Sequence, residues 1–489
     1  MDGKSVAVHD VAVVGGGVVG CAVLRELSRF DLKLLLLERE ADLAEGASKG
    51  NSGVIHAGFN VPSGSLKART NVAGLGLIYP LAAELGIPHR KTGKLVVALE
   101  DGDRRRLEEL KSEGDASGAP DLEIVDGTAL RRLEPLARGR WALFSPHSGI
   151  ISPYELTIAL AESAWRNGAE IRLGTPVVGA AFRDGLFRLA TPGGTFAARR
   201  VVNCAGLFAD EVARLAGSCD RRVFPCRGEY LVTDRDCGLR LARPVYPVPP
   251  RDDPGLGIHV TPTLEGNILL GPSAEAVGDK RDAASTAAVA ARLKSEAARL
   301  MPALAGVPFI HAYAGLRPKL ADPAGRDTFA DFVVEESAAR PGWIDLLGIE
   351  SPGLTAAPAL ARTVVDMIGA VEDLRPRPGF EPGLPSRRRF ADMGDDERAA
   401  RVARDADWGE MVCRCEHVTR AEVAAALRNP FGARSLDAVK RRTRCGMGRC
   451  QGGFCTPRIV EILQDEGVAV EDITKRGGGS RLFSGRLKG

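Results

Sequence analysis

The chain has 489 residues, a formal net charge of +3, 44% hydrophobic residues and 26% charged residues. This length predicts two to four domains with sizeable cores, and the charge balance gives no sign of a nucleic-acid partner. No apolar run reaches the ~18 residues that can span a bilayer, and no export signal precedes the first predicted strand. We therefore expect a soluble, cytoplasmic protein without a transmembrane segment, with docking at a membrane surface left open.

The chain opens on a predicted strand, a glycine-rich turn, a helix and a second strand. The first apolar run ends at Gly15, Gly17 and Gly20 in GxGxxG spacing. The second apolar run stops at the acid Glu38, about 20 residues beyond the glycines. Glycines at these positions permit a tight turn and a close approach of the backbone to a pyrophosphate, and the acid can accept hydrogen bonds from a ribose diol. The pattern predicts an α/β, Rossmann-type fold that binds a dinucleotide.

A polar loop rich in small residues, SKGNSGVIHAGFN, follows at residues 48–60. Together with the later segments GSLKART and TGKLVVA, it resembles the FAD-dependent oxidoreductases of the D-amino-acid oxidase type. Glycerol-3-phosphate and L-2-hydroxyglutarate dehydrogenases of that type show the most similar motifs. The resemblance covers about residues 8–372 and implies FAD as the dinucleotide, with Asn51 and Ser52 beside the isoalloxazine. His56, in the middle of the loop, is then the candidate base, and a satisfied loop histidine is the alternative.

The same resemblance assigns cofactor contacts to later positions in the chain. These positions are Val178, Ala205, Gly206, Gly353, Leu354 and Thr355. Thr355 is predicted to be the N-cap of a helix that runs from about residue 356 to residue 371. The N-terminus of this helix is expected to stabilise negative charge on the flavin.

An antiparallel sheet over the flavin is predicted for the substrate part, at about residues 80–150 and 223–332. Within it, Arg317 in AGLRP resembles the arginine that binds the anionic end of the substrate, a role that suits the planar guanidinium fork. Arg326 resembles a second anion-binding arginine of the glycerol-3-phosphate enzymes. An exposed salt bridge is the alternative for both arginines. Gly353 departs from the pattern, because the aerobic glycerol-3-phosphate enzymes have a lysine in this loop.

Half of the ten cysteines fall between residues 413 and 455. In a chain without an export signal, such clustering favours a metal over disulfides. The pattern CxC followed by C-x4-C differs from the CxxC knuckles of structural zinc sites. It resembles the bacterioferritin-associated-ferredoxin-like domain, which implies a 2Fe–2S cluster, with zinc or no metal as alternatives. The ligands implied by that resemblance are Cys413, Cys415, Cys450 and Cys455, which leaves Cys445 as a spare thiol.

These motifs predict an oxidoreductase unit at residues 1–375, a linker at 376–410, a small helical 2Fe–2S domain at 411–475 and a flexible basic tail at 476–489. Because flavin takes a hydride and an iron–sulfur centre passes single electrons, we expect a dehydrogenase that delivers electrons to an acceptor protein and reacts slowly with oxygen.

Three functions stay open at this point. The first is oxidation of a small anionic substrate, glycerol 3-phosphate, to dihydroxyacetone phosphate. The second is oxidation of L-2-hydroxyglutarate or a similar hydroxy acid, with a secondary amine as a variant. The third is an electron-transfer subunit without a small-molecule substrate. His259 and His311 are the rivals of His56 for the role of base.

Overall fold

The computed structural model describes residues 7–249, 257–321 and 330–485. The strands, numbered in chain order, are β1 (Val8–Val14), β2 (Leu34–Leu37), β3 (Val54–Ile55), β4 (His89–Arg90), β5 (Lys94–Ala98), β6 (Glu123–Asp126), β7 (Trp141–Ser145), β8 (Gly149–Ile151), β9 (Glu170–Arg172), β10 (Gly179–Arg183), β11 (Leu186–Thr191), β12 (Gly194–Asn203), β13 (Val223–Thr233), β14 (Val245–Pro247), β15 (His259–Pro262), β16 (Ile268–Gly271), β17 (Glu275–Ala276), β18 (Phe309–Leu320), β19 (Val333–Glu336), β20 (Trp343–Leu347), β21 (Met411–Cys413) and β22 (Val418–Thr419).

The α-helices follow the same numbering. They are α1 (Val18–Leu27), α2 (Leu66–Glu84), α3 (Asp103–Ser117), α4 (Gly127–Leu133), α5 (Pro153–Arg166), α6 (Ala209–Ala216), α7 (Ala287–Leu300), α8 (Gly353–Gly369), α9 (Asp395–Arg404), α10 (Arg420–Leu427), α11 (Leu436–Thr443) and α12 (Cys455–Asp465). None of these helices is long and apolar enough to cross a membrane.

The first sheet has the order β10-β11-β12-β1-β2-β9, and β20 joins it beside β12. β1 pairs in parallel with both neighbours, so that Val14 lies opposite Leu37 and Asn203. β1 and β2 are apolar and buried, as expected for parallel strands that are covered on both faces, and α1, α5 and α8 pack together on one of these faces. The carboxyl ends of the three strands open at one edge, where the glycine turn begins.

The second sheet has the order β17-β13-β16-β15-β14-β5-β7-β6, with β18 paired to β13. Most neighbours are antiparallel, but β14 and β5 run parallel, with Val245 opposite Leu95. Strands from two separate stretches of the chain therefore share this sheet, and α7 covers its apolar face.

The last part of the described chain forms a small unit of its own, in which α10, α11 and α12 surround a core that includes Val412, Val423 and Ile459. A capping box is present at the start of α10. The Thr419 hydroxyl accepts the N–H of Glu422, and the Glu422 carboxylate accepts the N–H of Thr419 at 2.9 Å.

Two arginines of α11 attach this unit to the first sheet. Arg441 and Arg442 both bind the fully buried carboxylate of Asp42, at 2.8 and 2.7 Å, and Arg441 also binds Glu45 at 2.5 Å. Burial alone would raise the pKa of Asp42, but the hydrogen bonds and charges of the two arginines outweigh it and hold that pKa below its usual value. The small unit is therefore docked through buried ion pairs.

The N-cap predicted at Thr355 is wrong. α8 begins at Gly353, with Pro352 at the N-cap position, so that Thr355 lies inside the first turn. Its hydroxyl accepts the N–H of His56 at 3.0 Å. The neighbouring loop, and not the helix terminus, thus engages this hydroxyl.

Candidate functional site

A cavity of about 1690 Å³ extends from the glycine turn of the first sheet to the second sheet. Gly15, Gly17 and Glu38 line it at the edge of the first sheet, and His56 and Arg317 line it beside the second. Pockets for drug-sized ligands are usually about 300–1,000 Å³. The cavity therefore has room for a dinucleotide and a small substrate together.

The glycine turn fits the pyrophosphate role that its spacing predicts. Gly15 has φ of +110°, and a Cβ there would lie 2.5 Å from the carbonyl oxygen of Cys204. A Cβ at Gly20 would lie 2.0 Å from the carbonyl oxygen of Gly15. Gly17 is the N-cap of α1, and a ligand can thus approach the helix N-terminus closely.

Glu38 occupies the position predicted to contact ribose. Its carboxylate accepts the N–H groups of Gly16 at 2.6 Å and Glu40 at 2.8 Å. Burial raises its pKa to about 7. The two N–H groups fix the carboxylate at the cavity, and each of its oxygens has a second lone pair for a hydroxyl.

The other predicted cofactor positions also line this cavity, apart from Gly20 and Thr355. Those that line it are Asn51, Ser52, Val178, Ala205, Gly206, Gly353 and Leu354. Residues 476–480, within the predicted basic tail, line it as well, and a Cβ at Gly477 would lie 2.2 Å from the Cβ of Ala41.

The loop at residues 48–60 is shaped by its own asparagine and by a crossing strand. The Asn51 amide donates to the carbonyl oxygens of Ala47 at 3.0 Å and Ser48 at 2.9 Å. A Cβ at Gly315 would lie 1.8 Å from the carbonyl oxygen of Gly50. The glycine of AGLRP thus lets β18 cross the loop, a contact that the sequence did not reveal.

Arg317 lies two residues further along β18, buried in the cavity wall. Its Nη1 is 3.9 Å from the sulfur of Cys226, and its Nη2 is 3.4 Å from the carbonyl oxygen of Ser273. Among the described residues no carboxylate forms a salt bridge with it. Because a buried cation without an anionic partner is costly, this guanidinium is suited to bind an anion. Arg326, the predicted second anion ligand, lies outside the described residues.

A cluster of titratable side chains surrounds the candidate base. The Nδ1 of His56 is 3.5 Å from the Nζ of Lys94, and the rings of Tyr246 and His259 stack at 4.0 Å. Burial, and then the charge of Lys94, lower the pKa of His56 well below its usual value, and burial lowers the pKa of Lys94 to about 7. His259 lines the same cavity, whereas His311 is not among its lining residues. Lys94 was missed as a site residue, although a lysine that opens the apolar run KLVVA is a signal.

The five clustered cysteines form a group of three and a pair. The thiols of Cys413, Cys445 and Cys455 lie within 4.8 Å of one another, and those of Cys415 and Cys450 are in hydrogen-bond contact. Hydrogen bonds from the other two thiols of the group, and then from backbone N–H groups, lower the pKa of Cys413. Soft thiolates that also accept backbone hydrogen bonds fit an iron–sulfur cluster. Cys445, expected to be spare, lies inside the group.

The loops that carry these thiols face the part of the chain that forms the two large sheets. Arg444 binds Glu265, beside the second sheet, at 3.2 Å and donates to the hydroxyl of Tyr154 on α5 at 3.2 Å. Arg235 donates to the carbonyl oxygen of Cys415. The thiol loops are therefore held at the interface between the two parts.

Comparisons with known proteins agree with both parts of this geometry. A family model described as FAD dependent oxidoreductase matches residues 10–367, and one described as BFD-like [2Fe-2S] binding domain matches residues 411–465. A glycerol 3-phosphate dehydrogenase of Caloramator mitchellensis is 37% identical over 483 residues, which cover 98% of this chain and 99% of that protein. An L-2-hydroxyglutarate dehydrogenase of Caenorhabditis elegans is 39% identical over 274 residues, which cover 54% of this chain and 63% of that protein.

A solved structure is similar as well. The dithionite-reduced L-alpha-glycerophosphate oxidase of Mycoplasma pneumoniae, with FAD bound, has a TM-score of 0.71 and 31% identity, over 78% of this chain and 99% of that chain. These similarities, together with the glycine turn and the clustered cysteines, confirm the predicted fold class. They also confirm both predicted cofactors, FAD and a 2Fe–2S cluster. The chain belongs to the FAD-dependent oxidoreductase family and carries a BFD-like 2Fe–2S domain after its flavoprotein part.

Proposed function

We propose that this protein oxidises glycerol 3-phosphate to dihydroxyacetone phosphate. The observation that supports the substrate best is the similarity to the Caloramator glycerol 3-phosphate dehydrogenase, which extends over the flavoprotein part and the cluster domain alike. The Mycoplasma pneumoniae glycerol 3-phosphate oxidase, 32% identical, covers 74% of this chain. Arg317, buried and without a salt bridge to any described carboxylate, adds a physical reason, because its fork can bind a phosphate with two hydrogen bonds.

In this proposal the residues of the chain bind, orient and deprotonate the substrate. Arg317 holds the phosphate, and His56 takes the proton of the hydroxyl group. The bond from the backbone of His56 to Thr355 fixes the loop that carries the imidazole. Bound FAD supplies the hydride acceptor, and the bound cluster supplies a one-electron carrier.

We also propose that electrons leave through the cluster domain to an acceptor protein. Cys450 is exposed, and the neighbouring Phe454 has 48% of its side chain exposed. The loop of Cys415 is held against the flavoprotein part by Arg235, and Arg449, next to Cys450, binds Asp234 of that part. Both thiol loops therefore contact the flavoprotein part, while Cys450 and Phe454 keep exposed surface for a partner.

Oxidation of L-2-hydroxyglutarate is the second candidate. It is favoured by the 39% identity to the Caenorhabditis elegans enzyme, although that similarity spans 54% of this chain. Arg317 suits a carboxylate as well as a phosphate, so this residue does not separate the two substrates.

Anaerobic bleaching of the flavin separates these functions. The reconstituted holoenzyme is mixed with glycerol 3-phosphate, L-2-hydroxyglutarate or proline, and dithionite serves as the positive control. We expect glycerol 3-phosphate to bleach the flavin fully and the other two to leave it oxidised. Bleaching by L-2-hydroxyglutarate alone would support the second candidate. Bleaching by dithionite alone would contradict both and indicate an electron-transfer subunit.

A further inference from the structure

We propose that Lys94 is the second member of a proton relay, in which it sets the tautomer of His56 and accepts the proton that His56 passes on. The inference rests on the proposed oxidation of a hydroxyl group. Lys94 is a positioning residue in this scheme, because it acts through His56 and not on the substrate itself.

The first reason is the place of Lys94 in the fold. It opens β5, its exposed fraction is 3%, and its ammonium lies 4.1 Å from the ring centre of Phe59 and 4.7 Å from that of Tyr246. Within the described ranges it forms no salt bridge. A buried ammonium without a carboxylate tends to lose its proton, and burial lowers the pKa of this one to about 7. The neutral amine is therefore accessible near neutral pH.

The second reason is the contact with His56, where Nζ lies 3.5 Å from Nδ1. If Lys94 is an ammonium, it donates to Nδ1, and the ring proton must be on Nε2. That tautomer cannot take a proton at Nε2, the nitrogen left for a substrate. If Lys94 is a neutral amine, it accepts the N–H of Nδ1, and Nε2 presents its lone pair to the cavity. Neutral Lys94 thus permits the tautomer that a base requires, which the ammonium, a donor only, excludes.

The third reason is the charge of the surroundings. The titratable groups that face Lys94 and His56 from the packed elements are Tyr246 on β14, His259 on β15 and Arg317 on β18. Burial lowers the pKa of His259 well below its usual value, so this ring is neutral, and Arg317 is a cation. Neither the neutral His259 nor the cationic Arg317 favours a charged Lys94 before the reaction.

The proton balance of the relay is complete. The O–H bond of the substrate breaks, and its proton forms a bond with Nε2 of His56. The Nδ1–H bond breaks, and that proton forms a bond with Nζ of Lys94. Bound FAD, the family's cofactor, would supply the acceptor for the hydride of the adjacent carbon. The new ammonium then lies over the two aromatic rings, whose faces stabilise a cation.

The test uses three variants of the holoenzyme. Lys94→Met removes the acceptor, Lys94→Arg replaces it with a permanent cation, and Lys91→Met is the control on an exposed lysine three residues away. Single-turnover reduction of the flavin by glycerol 3-phosphate is measured anaerobically from about pH 5.5 to about pH 9.5, a range that brackets the lowered pKa of Lys94. We expect the wild-type and control rates to rise through about pH 7. In both Lys94 variants the rate should no longer rise through this pH range, and flavin reduction at pH 8 should be about tenfold slower.

A wild-type pH profile in Lys94→Met would overturn the relay. Failure of glycerol 3-phosphate to bleach the wild-type flavin would instead overturn the proposed function, and stability then tests Lys94 without any substrate. A lysine with a lowered folded pKa binds fewer protons in the folded state, so that the stability of the wild type relative to Lys94→Met should rise between about pH 7 and pH 10. A constant difference over this range would contradict a neutral Lys94.

Discussion

At the scale of single residues, the proposal makes Arg317 the anion ligand of the substrate. We expect Arg317→Met to lower kcat/KM for glycerol 3-phosphate by about 10²–10³-fold, since it removes a buried, charge-assisted contact worth about 3–4 kcal/mol. The measurement is the rate of flavin bleaching against substrate concentration. Arg183→Met, at an exposed position of β10, is the control. Equal kcat/KM values for the two variants would exclude Arg317 as the anion ligand.

Substitution of Gly315 tests whether β18 must cross closely over the loop at residues 48–60. A Cβ at this position would lie 1.8 Å from the backbone oxygen of Gly50, so Gly315→Ala should displace the loop, destabilise the protein by about 1–3 kcal/mol and lower its FAD content. Gly76 in α2 has open space around its Cβ position, and Gly76→Ala should leave both quantities unchanged or slightly improved. Both are read from the flavin absorbance of the purified protein and from its Tm. A Gly315→Ala protein with full flavin occupancy would contradict this role.

The sequence was sufficient for residues whose function depends on local chain geometry. The GxGxxG spacing is enough to predict the glycine turn, and Gly15 and Gly17 line the cavity as that spacing predicts. The contact of Lys94 with His56 and that of Gly50 with Gly315 could not be predicted in this way. They form because the loop at residues 48–60 meets β5 and β18, which lie far from it in the chain.

At the scale of elements, local signals worked where one segment determines its own shape. The turns at Asp184-Gly185 and at residues 192–194 connect β10 to β11 and β11 to β12, and Asp-Gly and Pro-Gly are dipeptides typical of such turns. The prediction of an N-cap at Thr355 is wrong because a separate loop engages the hydroxyl of this residue. The parallel pairing of β14 with β5 likewise joins distant segments, and no local pattern encodes it.

The two thiol loops support a prediction about the ligand set. A two-iron cluster needs two protein thiolates for each iron, and the pair Cys415 and Cys450 can serve one iron. We expect Cys415→Ala and Cys450→Ala to lose most of the bound iron, because the pair has no spare thiol. Cys445→Ala should keep it, because Cys413 and Cys455 remain for the other iron. Iron content and visible absorbance after reconstitution give the answer.

The outcome for Cys445 separates two arrangements. If Cys445→Ala loses its iron while Cys413→Ala or Cys455→Ala retains it, Cys445 is a ligand and the set implied by the family resemblance is wrong for this chain. Far-UV circular dichroism of each variant shows that the loss concerns the cluster and not the fold.

At the scale of the whole molecule, the buried ion pairs at Asp42 hold the cluster domain on the flavoprotein part. We expect Asp42→Asn to lower the free energy of unfolding by about 3–5 kcal/mol, because it leaves Arg441 and Arg442 buried without their shared carboxylate. Asp396→Asn, at an exposed position of α9, should change it by less than about 0.5 kcal/mol. Urea unfolding measures both. Equal stabilities would show that the docking does not depend on this carboxylate.

The same contact gives the interface a dependence on pH. The pKa of Asp42 is lowered in the folded protein, so its contribution is present above the ordinary pKa of an aspartate and is lost as the pH falls through the lower, folded value. The wild type should therefore lose stability relative to Asp42→Asn below about pH 4. A stability difference that stays constant down to pH 3, roughly one unit below that ordinary value, would contradict this assignment.

We propose that one polypeptide takes a hydride from a small anionic alcohol and releases single electrons through its thiol-held cluster. The most direct measurement mixes the anaerobic holoenzyme with glycerol 3-phosphate and follows flavin absorbance together with the electron paramagnetic resonance of the cluster. We predict that flavin bleaching is followed by the signal of a reduced 2Fe–2S centre, and that Cys450→Ala shows bleaching without this signal. A flavin that bleaches while the wild-type cluster stays oxidised, or that does not bleach at all, would contradict the account.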